Sequence, residues 1–308
     1  MSQKGRPMLE RVSVIMPAYR SGCLIQDAIE SVLAQDYPNI QLIICDDGTE
    51  GFEAKVVEEA IRKQFPHYYG IVVHQDNNIG TVRNLNCGLS YVTGKWVLLL
   101  SADDILCQKD VISRLVEQSY KSQASWIVPK TIMADQSMEN IVGIIPIKQV
   151  CHVLENSDMK TLYKMLCLQC CLPSSGGFYE RKILESVQGF DERFRLVEDW
   201  PLFLKLVRCG IVPLLSDEIV VKHRDGGVSA GTAKKNIIYQ QDLIQIMTQE
   251  IIPNLYMLSA RERKKVEQVI KDKQVIFDLR FSKKSMGEKV KWIAGNMGSL
   301  IRRGMHFM

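Results

Sequence analysis

Residues 12–49, VSVIMPAYRSGCLIQDAIESVLAQDYPNIQLIICDDGT, hold the pattern that decides the fold. Val12 to Met16 is a short apolar run of strand length. Leu24, Ala28, Ile29, Val32 and Leu33 then recur at helical spacing as far as Gln35, and Gln41 to Cys45 is apolar again. The alternation continues with a helical Phe52 to Gln64, a strand at Ile71 to His74, and a helix at Thr81 to Tyr91 closed by Gly94. A strand at Trp96 to Leu100 and a helix at Val111 to Gln123 follow. Strands that are apolar throughout and alternate with helices predict a mostly parallel, Rossmann-like α/β sheet covered on both faces. Right-handed crossovers leave few ways to wind it.

Past residue 125 the pattern loosens. Ser125 to Pro129 and Ile141 to Ile147 read as strands and Met159 to Leu166 as a helix. The pair Gly176–Gly177 marks a loop needing positive φ or close backbone approach. Ile219 to Lys222 reads as a last strand, ending in a turn at Asp225–Gly226–Gly227, and from Lys234 the pattern is helical. The expected organisation is a leader over 1–10, an α/β body over 11–230 whose halves divide near 105, and a helical extension over 231–308. No internal repeat is visible.

The chain has 308 residues, 46% of them hydrophobic and 24% charged, a mix that excludes disorder, collagen and a disulfide miniprotein. No run of 18 apolar residues occurs, and the N-terminus lacks the apolar core of a secretory signal, so the chain is expected in the cytoplasm. Nine cysteines at irregular spacing suit a reducing compartment, where they act as small hydrophobes. Cys167, Cys170 and Cys171 form a C-x-x-C-C cluster, but without a second C-x-x-C pair a zinc site is not expected. Arg261 to Met308 carries +8 against +4 for the whole chain, leaving the first 260 residues at −4. A mildly acidic body with a basic tail points to an anionic surface rather than to nucleic acid.

In an open α/β sheet, ligands gather beyond the carboxyl ends of the strands. The first strand leads to Pro17-Ala18-Tyr19-Arg20 and the second to Asp46-Asp47-Gly48-Thr49. The third leads to Asn77-Asn78-Ile79-Gly80 with Arg83-Asn84, and the fourth to Ser101-Ala102-Asp103-Asp104. A single acidic pair is explained by a helix cap or turn. Two pairs on one rim repel unless a cation or hydrogen-bonding ligand intervenes, and a hard divalent ion shared with substrate phosphates does this. Neither a P-loop nor G-x-G-x-x-G is present, which argues against kinases and nicotinamide enzymes.

These segments, in this order, resemble a family 2 glycosyltransferase, an inverting sugar transferase of GT-A fold. The resemblance covers roughly residues 10 to 230. It runs from the opening stretch through Asn77–Gly80 and Arg83-Asn84 to LLLSADD at Leu98 to Asp104. It continues with Ser174 to Phe178, Gly189-Phe190-Asp191-Glu192, Glu198-Asp199 and a closing HRDGGVS at His223 to Ser229.

The resemblance implies a nucleotide-sugar donor, UDP-linked, and a saccharide or lipid-linked saccharide acceptor. Pro17 and Tyr19 would flank the base, Asp47 would accept from a uracil ring nitrogen, and Asp46 would support that loop. Arg83 would reach the base or diphosphate. Asp103 and Asp104 would hold the ribose and a Mg²⁺ or Mn²⁺, although Ser101 stands where the family often has another acid. Gly176, Gly177 and Glu198 would lie on the acceptor side. Arg224 would meet the departing diphosphate, with His223 or Asp225 near the metal.

Asp199 is the implied general base. Its place in EDWP, with Pro201 at the first helical position, equally suits a plain helix cap. Two rival functions stay open: a catalytically dead scaffold that binds a nucleotide sugar or partner, and a sugar nucleotidyltransferase. Ser282 to Met308 interleaves basic residues with Trp292, Ile293, Leu300 and Ile301, as in a helix lying on an anionic membrane or packed on the body.

Overall fold

The computed structural model describes residues 10–65, 69–226, 237–281 and 286–298. The leader up to residue 9, Gly227 to Ser229 of the closing motif, and residues 282–285 and 299–308 of the tail lie outside the described residues. Leu300 and Ile301 are among them.

The first half follows the predicted alternation: β1 (Val12–Ala18), α1 (Leu24–Leu33), β2 (Ile40–Asp46), α2 (Ala54–Gln64), β3 (Gly70–His74), α3 (Thr81–Ser90) and β4 (Trp96–Leu99). Next come β5 (Ile105–Leu106), α4 (Val111–Ser122), β6 (Trp126–Ala134), β7 (Ile141–Ile145), α5 (Lys148–Glu155) and α6 (Met159–Leu168). Then follow β8 (Phe178–Glu180), α7 (Arg181–Ser186), α8 (Asp199–Arg208) and β9 (Leu214–Arg224). The extension holds α9 (Ile237–Gln245), a π-helical turn at Ile246–Ile251, a 3₁₀ turn at Ile252–Met257, α10 (Ala260–Phe281) and α11 (Met286–Gly295).

Among the described residues the strands form one sheet in the order β3-β2-β1-β4-β8-β6-β9-β5, with β7 on β6. The strands β3, β2, β1 and β4 run parallel. The later half is mixed, because the three-residue β8 enters antiparallel between β4 and β6. The last strand is longer than the predicted Ile219 to Lys222. Its eleven residues lie beside β6 in parallel over most of their length.

Alternate strand residues feed two cores, which is why the runs had to be apolar on both sides. Val14, Met16, Leu42, Ile44 and Leu98 pack with α1 and α4 on one face. Ile15, Ile43, Cys45, Val97 and Leu99 pack on the other with α3, α6 and α8. The extension joins this second face through Ile246, Ile251, Val266 and Ile270, so it is part of the body.

Candidate active site

Strand register assembles the first part of the site. In the antiparallel pair β5–β9, Ile105 faces Lys222 and Leu106 faces Val221. One step outward the same register sets Asp104 against His223 and Asp103 against Arg224. Asp104 is fully buried, and its carboxylate accepts the backbone N–H of Arg224 at 3.1 Å and lies 2.9 Å from His223 Nδ1. Burial pulls the His223 pKa down most strongly, but the Asp104 hydrogen bond and the charges of Asp104, Asp103 and Asp225 together hold it above the ordinary value. Asp103 is raised by burial and by Asp104 beside it.

Among the described residues no three His, Cys, Asp or Glu side chains are gathered as a ready metal site, so any fit to a cation rests on donor type. Oxygen from a carboxylate, nitrogen from an imidazole and the remaining places filled by phosphate is chemistry that Mg²⁺ and Mn²⁺ accept.

The other acidic pair divides its work. Asp46 Oδ2 accepts the Thr49 N–H at 2.8 Å and lies 2.8 Å from His74 Nδ1, so it supports its own loop. Asp47 is buried, and its two oxygens accept the N–H groups of Ile79 (2.7 Å) and Gly80 (3.0 Å). It thus fixes the Asn77–Gly80 loop, with lone pairs remaining for a base. Tyr19 is exposed on the same rim beneath the Arg20 guanidinium, and Pro17, half-buried, precedes it on β1. Arg83 is exposed and pairs with Glu192 at 3.4 Å. The Arg224 guanidinium is engaged by the carbonyls of Asp103 (3.2 Å) and Gln136 (2.6 Å) and by Asp27 (3.4 Å), bracing the Asp103–Asp104 loop.

One short loop ties this rim to the second acidic site. Gly176 donates to the Leu99 carbonyl and Leu99 to that of Gly177, docking the loop on the tip of β4. Gly176 has φ +86°, and a Cβ there would sit 2.6 Å from Val221 Cγ2, so only glycine fits. Immediately before it, Ser175 Oγ accepts the Ser101 N–H at 3.3 Å while Ser174 Oγ donates to Glu198 Oε1 at 2.9 Å. Adjacent serines therefore touch both acidic segments.

Asp199 is the first residue of α8 and Glu198 the residue before it. The helix starts earlier than predicted, and Pro201 is its third residue, where no intrahelical N–H is needed anyway. Glu198 makes no side-chain cap bond, whereas Asp199 does accept a backbone N–H of the first turn, as the cap reading of Asp199 expects. Asp199 Oδ1 accepts the Trp200 N–H at 2.7 Å, and Oδ2 accepts from the Cys170 thiol at 3.4 Å. Burial raises both carboxyls despite the helix N-terminus, and the Asp199 charge pushes Glu198 further. Two buried carboxyls side by side therefore hold one proton between them more readily than two separate carboxyls would.

The family model for glycosyl transferase family 2 matches residues 13–185, more than half of the chain. The chain belongs to that family. Within family 2, it is 27% identical over 144 residues to the glycosyltransferase GlyG of Streptococcus pneumoniae, covering 47% of this chain and 46% of GlyG. The chain thus spans about half the length of that relative. It is 24% identical over 210 residues to the succinoglycan biosynthesis protein ExoO of Rhizobium meliloti, covering 65% of this chain and 56% of ExoO. Among solved structures it is similar to the mannosyltransferase PcManGT of Pyrobaculum calidifontis in complex with GDP-Man and Mn²⁺. That match has a TM-score of 0.60 and 16% identity, and covers 95% and 81% of the two chains. A further likeness, to S. aureus TarS 1–349 with UDP-GlcNAc, has a TM-score of 0.57 and 15% identity and covers 94% and 80%. These likenesses show the GT-A fold of family 2.

Sequence reading did not find two members of the site. Asp242 of α9, buried, accepts the N–H groups of Arg195 (2.9 Å), Leu196 (2.6 Å) and Val197 (3.2 Å) through one oxygen. It holds the segment leading into Glu198–Asp199 from the far side of the extension. Cys170 is the other, and Ser174 is read from the sequence only as part of its loop, without the bonds these residues make. No spacing signals them, since each partner lies 24 or more residues away.

Proposed function

We propose that this family 2 chain moves one sugar from a nucleotide-diphosphate sugar, UDP-linked, to a hydroxyl of a saccharide or lipid-linked saccharide, with inversion. The observation that carries the reading is the Ser174–Ser175 link, whose hydroxyls bond Ser101, just ahead of Asp103–Asp104, and Glu198 at the start of α8. The PcManGT and TarS complexes, each with a nucleotide sugar on this fold, support it. So does the polysaccharide role in the name of ExoO.

Asp199 accepts the proton of the attacking hydroxyl as it displaces the diphosphate from the opposite face of the sugar. No covalent intermediate is needed. Asp47 and Tyr19 stand where the base would lie and Asp103 where the ribose would, while Gly176 and Gly177 shape the acceptor side next to Glu198. Asp103, Asp104 and His223 would hold a Mg²⁺ or Mn²⁺, which when bound offsets charge on the leaving diphosphate. Among the described residues no helix is long and apolar enough to cross a membrane. The basic tail would make peripheral contact with a membrane that carries a lipid-linked acceptor.

A melting screen of UDP-, GDP- and dTDP-sugars with and without Mn²⁺ tests this. A true donor at a hundred times its Kd adds about 2.7 kcal/mol, and UDP-sugars with Mn²⁺ are expected to give the largest shift. Equal melting temperatures across the panel would contradict the donor assignment.

A further inference from the structure

The C-x-x-C-C cluster has a role that its spacing did not suggest. Cys170 lies between α6 and the serine loop, partly buried, with its thiol 3.4 Å from Asp199 Oδ2 and 3.7 Å from the Leu172 carbonyl. Burial foremost, and then the charge of Asp199, hold its pKa well above the ordinary thiol value. It is therefore a thiol, a hydrogen-bond donor, and not a thiolate nucleophile or metal ligand.

We propose that Cys170 is a positioning residue for the general base, donating its S–H to Asp199 so that the carboxylate is held from both sides and kept in its ionised form. The proposal rests on reading Asp199 as the base. With Oδ1 bound to the Trp200 N–H and Oδ2 to the thiol, the carboxylate does not rotate freely about its Cβ–Cγ bond. That restriction places its remaining lone pairs in one orientation, as the third member of a catalytic constellation commonly does for a base.

The second acceptor matters as much. When Asp199 receives the acceptor's proton it becomes a poorer partner, and the thiol can turn to the Leu172 carbonyl. The donor then remains satisfied in either state of the base.

The sign of the electrostatic effect follows. Burial raises the Asp199 pKa, while the Trp200 N–H and the Cys170 thiol each lower it. The other titratable groups facing this point are Glu198 on the same helix start, Cys171 next to Cys170, Tyr179 of β8 and Tyr239 of α9. Both phenols are held above their ordinary pKa chiefly by burial and so stay neutral. Removing the thiol takes away a bond to the charged form of Asp199, so its pKa rises and more of the base is protonated at a given pH.

The test is the pH profile of kcat/KM for Cys170→Ala, Cys170→Val and Cys170→Ser in the full chain, with melting temperatures as the folding control. Alanine and valine lack a donor, and valine keeps the volume if alanine opens a cavity. Both are expected to lower kcat about tenfold, to leave the donor KM within twofold, and to move the acid limb to higher pH. Serine is expected to restore rate and limb most of the way. A folded alanine or valine variant with wild-type rate and limb, or a serine variant no better than alanine, overturns the proposal. Asp199→Asn separates the two levels. If it is inert while Cys170→Ala matches wild type, only the positioning role fails; if it retains full turnover, the base assignment itself fails.

Discussion

Asp199→Asn is expected to lower kcat for sugar transfer by about a thousandfold while leaving donor affinity within about threefold. The amide keeps the size of the carboxylate, and its oxygen can still accept the Trp200 N–H, so α8 starts as before. What it loses is the capacity to take the proton of the attacking hydroxyl. Nucleotide release coupled to product formation measures the rate, and calorimetry measures the donor. Glu198→Gln supplies the contrast. Under the proposed assignment Glu198 carries the proton the pair shares, so an amide there imitates the working state, and turnover is expected to stay within about tenfold. The acid limb should lie above the usual carboxylate range in both wild type and Glu198→Gln, since burial is the main influence on Asp199. The rate then falls as pH drops through that limb, because only ionised Asp199 is a base. A large loss in Glu198→Gln with full activity in Asp199→Asn would exchange the two roles.

The second large effect is on the metal. His223→Ala is expected to weaken UDP binding in Mn²⁺ about a hundredfold, down to the level wild type shows in chelator. His223 lies 2.9 Å from Asp104 and is held there by the β5–β9 register, so its removal takes away one proposed ligand and leaves the strand pairing intact. Titration of UDP into both proteins, with Mn²⁺ and with EDTA, gives four affinities. If wild type binds UDP equally well in both buffers, the Asp104–His223 pair has only a structural role.

Much of the fold is legible in the sequence. The four opening strands are apolar on both faces because each feeds two cores, and that double demand is visible in runs such as QLIIC and WVLLL. The strand-tip acids were visible for the same reason: the tips are where a buried strand reaches solvent. The later elements were harder to read. Phe178–Glu180 is a three-residue strand, and Ile105–Leu106 has two, too short for any periodicity to emerge. Yet the latter sets Asp104 against a histidine 119 positions away. Sequence order also favoured Pro201 as the first helical residue, whereas Glu198 already takes helical angles and the helix begins two residues sooner. The anchoring of the Arg195–Val197 segment by Asp242 comes from a helix in the extension. Nothing in the local pattern around either segment points to the other.

Diffraction from crystals grown with Mn²⁺ and the nucleoside diphosphate giving the largest melting shift tests the central claim most directly. The account predicts an anomalous peak bonded to Asp104 and His223, the diphosphate against it, and the base between Tyr19 and Asp47. A nucleotide seated elsewhere on the sheet, with the Asp104–His223 contact unchanged and no peak beside it, would contradict the account.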